Sequence, residues 1–263
     1  MTLRKHLESI ACFTGVNLKI HRISHSLTNS VYRLDSELKS WALRINNPYS
    51  AALGINRQKE CDILMAIQNY SWSPNIVYID NDLCLSKWIQ GDRFNLEKDQ
   101  NLERLIQLVK ELHTVPCSQI QQHAAMDIRQ EIRHLQAPSF YANQDWRQLL
   151  EQQFERYRLP ANPVLCHFDL HPDNIIETEQ SLNLLDWEYA ALGDPLIDLA
   201  FISQGFSLDE PQWQQLIATF KPDEDELDLA RCLAKITELL WHEQRFPEQS
   251  QLDNYQHWYD TWK

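Results

Sequence analysis

Cys166-His167-Phe168-Asp169-Leu170-His171-Pro172-Asp173-Asn174-Ile175-Ile176, joined through a short polar segment to Leu184-Leu185-Asp186-Trp187-Glu188, is the stretch from which the rest of the chain is read. Two carboxylates and an amide stand in it at spacings suited to phosphoryl transfer. Asp169 is placed to face an incoming hydroxyl and accept its proton, while Asn174 and Asp186 are placed to hold magnesium against a nucleotide's phosphates. Asn174 offers a neutral oxygen and Asp186 a charged one, the donors that a hard ion takes. Asp186 follows the apolar run Leu182 to Leu185, which sets it at a strand end. A lone loop aspartate more often caps a turn; three polar residues at these spacings favour catalysis.

The texture of the chain changes at about residue 88, and this stretch belongs to the part after the change. Ser30 to Leu34 and Trp41 to Ile45 read as short strands joined by the polar turn Asp35 to Ser40. The apolar positions from about Ile55 to Tyr70 fit a helix. Asn75 to Ile79 and Leu83 to Ser86 read as two more strands around Asp80-Asn81-Asp82, with Lys87 to Gly91 as a connector. Leu102, Leu105, Ile106, Val109, Leu112 and His113 then recur at helical spacing until Pro116, and Leu229, Leu233, Ile236 and Leu240 do so near the C-terminus. The expectation is an α+β chain of two lobes. Residues 1–88 form a small antiparallel-sheet lobe that binds nucleotide, and residues 89–263 a mainly helical lobe for catalysis and substrate. A cleft between them suits a nucleotide.

Composition narrows the partners. The 263 residues are 43% hydrophobic, enough for a substantial core. A formal net charge of −13 argues against nucleic acid or an anionic membrane as the main partner. The six cysteines fall in no C-x-x-C pair, which suggests free thiols in a reducing compartment. No apolar run approaches the roughly 18 residues needed to cross a bilayer. A cytoplasmic enzyme is expected; its oligomeric state is open.

Other residues support the reading. Arg44, on the strand Trp41 to Ile45, can position the α- and β-phosphates if Glu60 on the next helix holds it, as a planar fork in place of a lysine point charge. Ile23 to Arg33 carries no glycine, so Ser26, Thr28 and Asn29 must cover the phosphates with hydroxyls and an amide. Lys87 and Ile89 in the connector fit an adenine-binding hinge by position. His167 is expected to brace the loop, and Asp198 to accept backbone N–H bonds from it. On the substrate side stand His171, Glu188 and Trp241. Trp241 is taken from the aromatic C-terminal third, because rings bind fixed cations, although tryptophans there more often fill a core.

These motifs together resemble the aminoglycoside phosphotransferase superfamily, and within it the choline kinase and thiamine kinase branch. The resembling segments are 26–34, 41–45, Glu60, 167–174 and 185–190, spread over about residues 22 to 200. The resemblance implies a protein-kinase-like bilobal fold, ATP as donor, magnesium, and transfer to the hydroxyl of a small alcohol. Trp187-Glu188 follows Asp186 where protein kinases carry Phe-Gly, and no long activation segment precedes Gly193-Asp194-Pro195. That excludes a phosphorylation-switched protein kinase. A thiamine-type alcohol is favoured slightly over choline, and an aminoglycoside less. Two rivals remain: a hydrolase using His167, Asp169 and His171 as metal ligands, and a binding module that has lost the reaction.

Overall fold

The computed structural model describes residues 13, 16–25, 29–48, 54–120 and 123–263. The chain begins with strands β1 (Lys19–His25), β2 (Asn29–Asp35) and β3 (Ser40–Asn46), helix α1 (Arg57–Ile67), and strands β4 (Ile76–Ile79) and β5 (Leu83–Lys87). After β6 (Asp92–Arg93) come helices α2 (Asn101–His113), α3 (Ile128–His134), α4 (Pro138–Ala142) and α5 (Gln144–Arg156). Short strands follow: β7 (Val164–Cys166), β8 (Ile175–Glu177), β9 (Leu182–Leu184) and β10 (Ala191–Gly193). Helices α6 (Pro195–Gly205), α7 (Glu210–Phe220), α8 (Glu224–Arg245) and α9 (Leu252–Trp262) complete the chain. Internal contacts divide it into two compact units. The first comprises residues up to Asp92 together with Ile176–Glu188; the second comprises Arg93–Ile175 and Tyr189–Lys263.

The first unit is built on an antiparallel sheet of order β1-β2-β3-β5-β4. Alternation sends Leu34, Trp41, Leu43, Leu83 and Leu85 to one buried face, where they pack with Phe13. The four strands and the helix read from the sequence are all present, each within a few residues of its expected ends. Strand β1 is the addition. It lies at the sheet edge with its described side chains largely exposed, so it carries no buried alternation to read. Helix α1 starts where the Asn56 side chain accepts the Lys59 N–H at 3.0 Å. Its buried face joins Ile63, Leu64 and Ile67 to two charged residues, Arg57 and Glu60, so a polar seam runs beside an apolar stripe.

The second unit is helical around one large core. The predicted stripe Leu229, Leu233, Ile236 and Leu240 lies buried along α8, which Asp223 caps. Helix α2 ends at His113, ahead of Pro116. Much of the C-terminal aromatic enrichment is core filling: Tyr255 and Trp258 pack against Phe140, and Trp213 is buried too. Tyr255 Oη donates to Glu243 at 2.7 Å and Trp258 Nε1 to the Cys232 carbonyl at 3.2 Å, so the polar tips are satisfied inside that core. Strands β7 and β10 pair antiparallel, Cys166 opposite Ala191, and the segment that leaves β7 carries Asp169.

Candidate active site

In the second unit the loop after β7 is shaped from behind. Phe168 has φ 60°, a left-handed conformation that costs a bulky residue on the order of 1–3 kcal/mol. Its N–H donates to Asp198 Oδ1 at 2.8 Å, and the other Asp198 oxygen meets His113 Nε2 at 2.7 Å. Asp198 and His167 are fully buried. Gly205, at the end of α6, packs so closely on the loop that a Cβ would lie 2.5 Å from the Leu170 carbonyl oxygen and 3.1 Å from His171 Cβ.

The chemical groups project from this support. Asn174 Nδ2 donates to the Asp169 carbonyl at 2.7 Å and to Asp169 Oδ2 at 3.1 Å. The amide is thereby oriented with its oxygen available as a ligand, while the Asp169 carboxylate stays 38% exposed. His171 Nε2 lies 3.9 Å from Asp169 Oδ2, and its Nδ1 accepts the Asp173 N–H at 3.3 Å. Burial holds the His171 imidazole below the usual histidine range although Asp173 pulls the other way, which favours its neutral form. An exposed ion pair, Arg93 with Asp173, sits at the rim of the loop.

In the first unit Arg44 and Glu60 pair as two parallel bonds of 2.6 and 2.7 Å. Burial works against both charges, yet Glu60 holds the guanidinium above its ordinary pKa, and Arg44 with Arg57 holds the Glu60 carboxyl below its own. Arg44 Nη1 also lies 3.7 Å from Asp186 Oδ1. Asp186 has φ 58° and ends the segment that follows β9. Its side chain is 37% exposed overall, but Oδ1 is shut off from solvent and makes no hydrogen bond among the described residues. That oxygen's burial, and next the Glu188 carboxylate, push the Asp186 acid up to about 6, against the pull of Arg44. Taken each by itself, Asp186 Oδ1, buried and without a hydrogen bond among the described residues, and the oriented Asn174 amide oxygen are both oxygen donors of the kind a magnesium ion takes.

The remaining predicted positions are disposed variously. Asn29 is buried: its amide donates to Glu188 Oε2 at 2.8 Å and accepts from Arg57 Nη2 at 2.8 Å. Ser26 and Thr28 lie outside the described residues. Lys87 ends β5 with an exposed side chain, and Ile89 is half-buried in the connector. There a Cβ on Gly91 would run into the Glu177 carbonyl. Glu188 is buried and held by Asn29 and Arg57. Trp241 is half-buried on α8, with the Arg245 guanidinium 4.6 Å from its ring centre. Arg57 was missed. Its signal was a charge three positions before Glu60 on the buried face of a helix. Among the described residues, the ligand-type side chains that converge tightly are His113, Cys166 and Asp198; the trio of the hydrolase reading does not.

A strained backbone held by a buried aspartate, an aspartate–asparagine pair, and an arginine clamped by a helix carboxylate are features that suit a phosphotransferase. The sequence profile of the phosphotransferase enzyme family matches residues 19–230, and the chain belongs to that family. It is a kinase of small molecules. The crystal structure of choline kinase LicA from Streptococcus pneumoniae has the same fold, with a TM-score of 0.77 at 18% identity over 98% of this chain and 97% of that one. A LicA homolog of Mycoplasma capricolum subsp. capricolum is 24% identical over 69% of this chain and 71% of its own length. A thiamine kinase of Salmonella heidelberg is 35% identical over 83 residues, which span 32% of this chain and 28% of the relative. Among the described residues no helix is long and apolar enough to cross a membrane.

Proposed function

We propose that the protein transfers the γ-phosphoryl group of ATP to the hydroxyl of a small cationic alcohol of choline or thiamine type. The observation that carries this reading is the oriented pair Asp169–Asn174 on a loop braced by Asp198. Asp169 accepts the proton of the attacking hydroxyl, a role that contributes on the order of 10²–10⁴ in rate. His171, neutral and beside Asp169, lines the alcohol side with Trp241. Residues 1–88 serve as the nucleotide-binding lobe and 89–263 as the catalytic and substrate lobe.

In this reading Arg44, fixed by Glu60, meets the α- and β-phosphates, Ser26, Thr28 and Asn29 serve as phosphate-loop residues, and Lys87 and Ile89 meet the adenine. Asn174 and Asp186 are the residues that would hold magnesium. When bound, the ion neutralises charge on the transferred phosphoryl group. Glu188 enters through the position it gives Asp186, since its carboxylate is already held by Asn29 and Arg57.

The LicA likeness favours choline and the shorter thiamine kinase match favours thiamine, so both belong in the decisive experiment. That experiment measures ATP consumption with Mg²⁺ across choline, ethanolamine, thiamine, aminoglycosides and sugar alcohols. Turnover confined to an alcohol with a fixed positive charge supports the reading. Turnover on aminoglycosides alone, or on none of the panel, overturns it.

A further inference from the structure

We infer that Arg57 is a positioning residue for phosphoryl transfer, tying helix α1, the start of β2 and the segment after Asp186 into one frame. The inference rests on the kinase reading above. One arm of the Arg57 guanidinium, Nη1, donates to Glu60 Oε2 at 2.8 Å. The other, Nη2, donates to Asn29 Oδ1 at 2.8 Å and to Glu188 Oε2 at 3.1 Å. Asn29 closes the ring by donating to the same Glu188 oxygen at 2.8 Å. Partners 28 and 131 positions away in the chain are thus joined by a single side chain that is 7% exposed.

Two consequences give the frame its role. Glu60 Oε2 is shared, taking Arg44 Nη2 at 2.7 Å as well as Arg57, so the orientation of the phosphate cation depends on both arginines. Glu188 stands two residues beyond Asp186, so pinning it fixes the approach of Asp186, which reaches Arg44 at 3.7 Å. By charge, two guanidiniums stand among three carboxylates: Glu60, Asp186 and Glu188. Losing Arg57 leaves two of the carboxylates turned towards a third with one cation among them, a costly arrangement in a buried setting. A lysine carries the charge but lacks the planar fork that reaches three acceptors at once.

The test compares wild type, Arg57→Lys, Arg57→Met, Glu188→Gln and the Arg57→Met/Glu188→Gln double variant. Steady-state kinetics are run against ATP, Mg²⁺ and the best alcohol, with circular dichroism for folding and calorimetric titration of Mg·ADP. We expect folded Arg57→Lys to lose roughly 100-fold in kcat/KM for ATP, the scale of a small misplacement at a reacting centre. Half-saturation should need more Mg²⁺, the KM for the alcohol should not move, and the double variant should be little worse than Arg57→Met alone. Arg57→Lys and Glu188→Gln carry the comparison if Arg57→Met does not fold. Wild-type kinetic constants in the folded variants, or a loss confined to melting temperature, overturn the positioning role while leaving the kinase reading intact. A wild type that neither turns over nor binds Mg·ADP sinks both.

Discussion

The two units hold their chemical residues by opposite means. In the first, charged side chains hold one another: Arg44, Arg57, Glu60 and Glu188 form a lattice of bonds from 2.6 to 3.1 Å, with Asp186 at its margin. In the second, one buried carboxylate, Asp198, grips the backbone N–H of Phe168 and leaves Asp169 half open beyond it. Both end in a left-handed residue, Asp186 at φ 58° and Phe168 at φ 60°. Opposing charges set both position and field, which suits side chains proposed to meet an anionic triphosphate. Holding the loop through its backbone suits the proton acceptor proposed at Asp169, because a strong cationic partner on the carboxylate would lower its basicity.

The contrast can be broken, beginning with its largest consequence. Asp169→Ala should cost roughly 10²- to 10⁴-fold in turnover while Mg·ADP affinity, read by calorimetry, stays near wild type. A variant as active as wild type removes Asp169 from catalysis. Next, Asp198→Ala strands the Phe168 N–H and its partner His113 inside the protein and should destabilise the fold by about 3 kcal/mol in urea unfolding. A stability within a few tenths of wild type would deny the backbone brace.

Glu60→Gln should act on the other side of the comparison. Leaving two guanidiniums with a neutral amide should raise the KM for ATP about 10-fold, and the KM for the alcohol should not move. An alcohol effect of equal size would mean the lattice does not serve the nucleotide alone. Trp241→Ala should do the reverse, raising only the alcohol KM by roughly 2- to 30-fold, the worth of one good cation–π face. Smallest of all, Arg93→Ala removes an exposed ion pair with Asp173 and should change stability by less than about 1 kcal/mol in the same urea assay.

Strands β2, β3 and β5 and helices α1, α2 and α8 were legible because each shows apolar residues at period 2 or 3.6 on a face that is in fact buried. Strand β1 was not, since an exposed edge strand has no such face. The aromatic C-terminus was only half readable. Composition flagged the rings, but whether a ring lines a pocket or fills a core depends on neighbours such as Phe140 and Glu243, far away in the chain.

The site divides along the same line. The meeting of Asp169 with Asn174 and the pairing of Arg44 with Glu60 could be inferred because the expected chemistry constrains residue type and spacing, and spacing is a property of the chain itself. The links from Arg57 to residues 29 and 188 and the burial of Glu188 could not, because only the i, i+3 spacing of Arg57 and Glu60 is local and the other partners are far away in the chain. By itself the sequence determined which groups are on hand to bind a nucleotide and move a proton. Only the tertiary structure decided which carboxylates are held by cations and that Asp186 Oδ1 is buried without a hydrogen bond among the described residues. Pair energies and desolvation depend on distances through space, which sequence order does not contain.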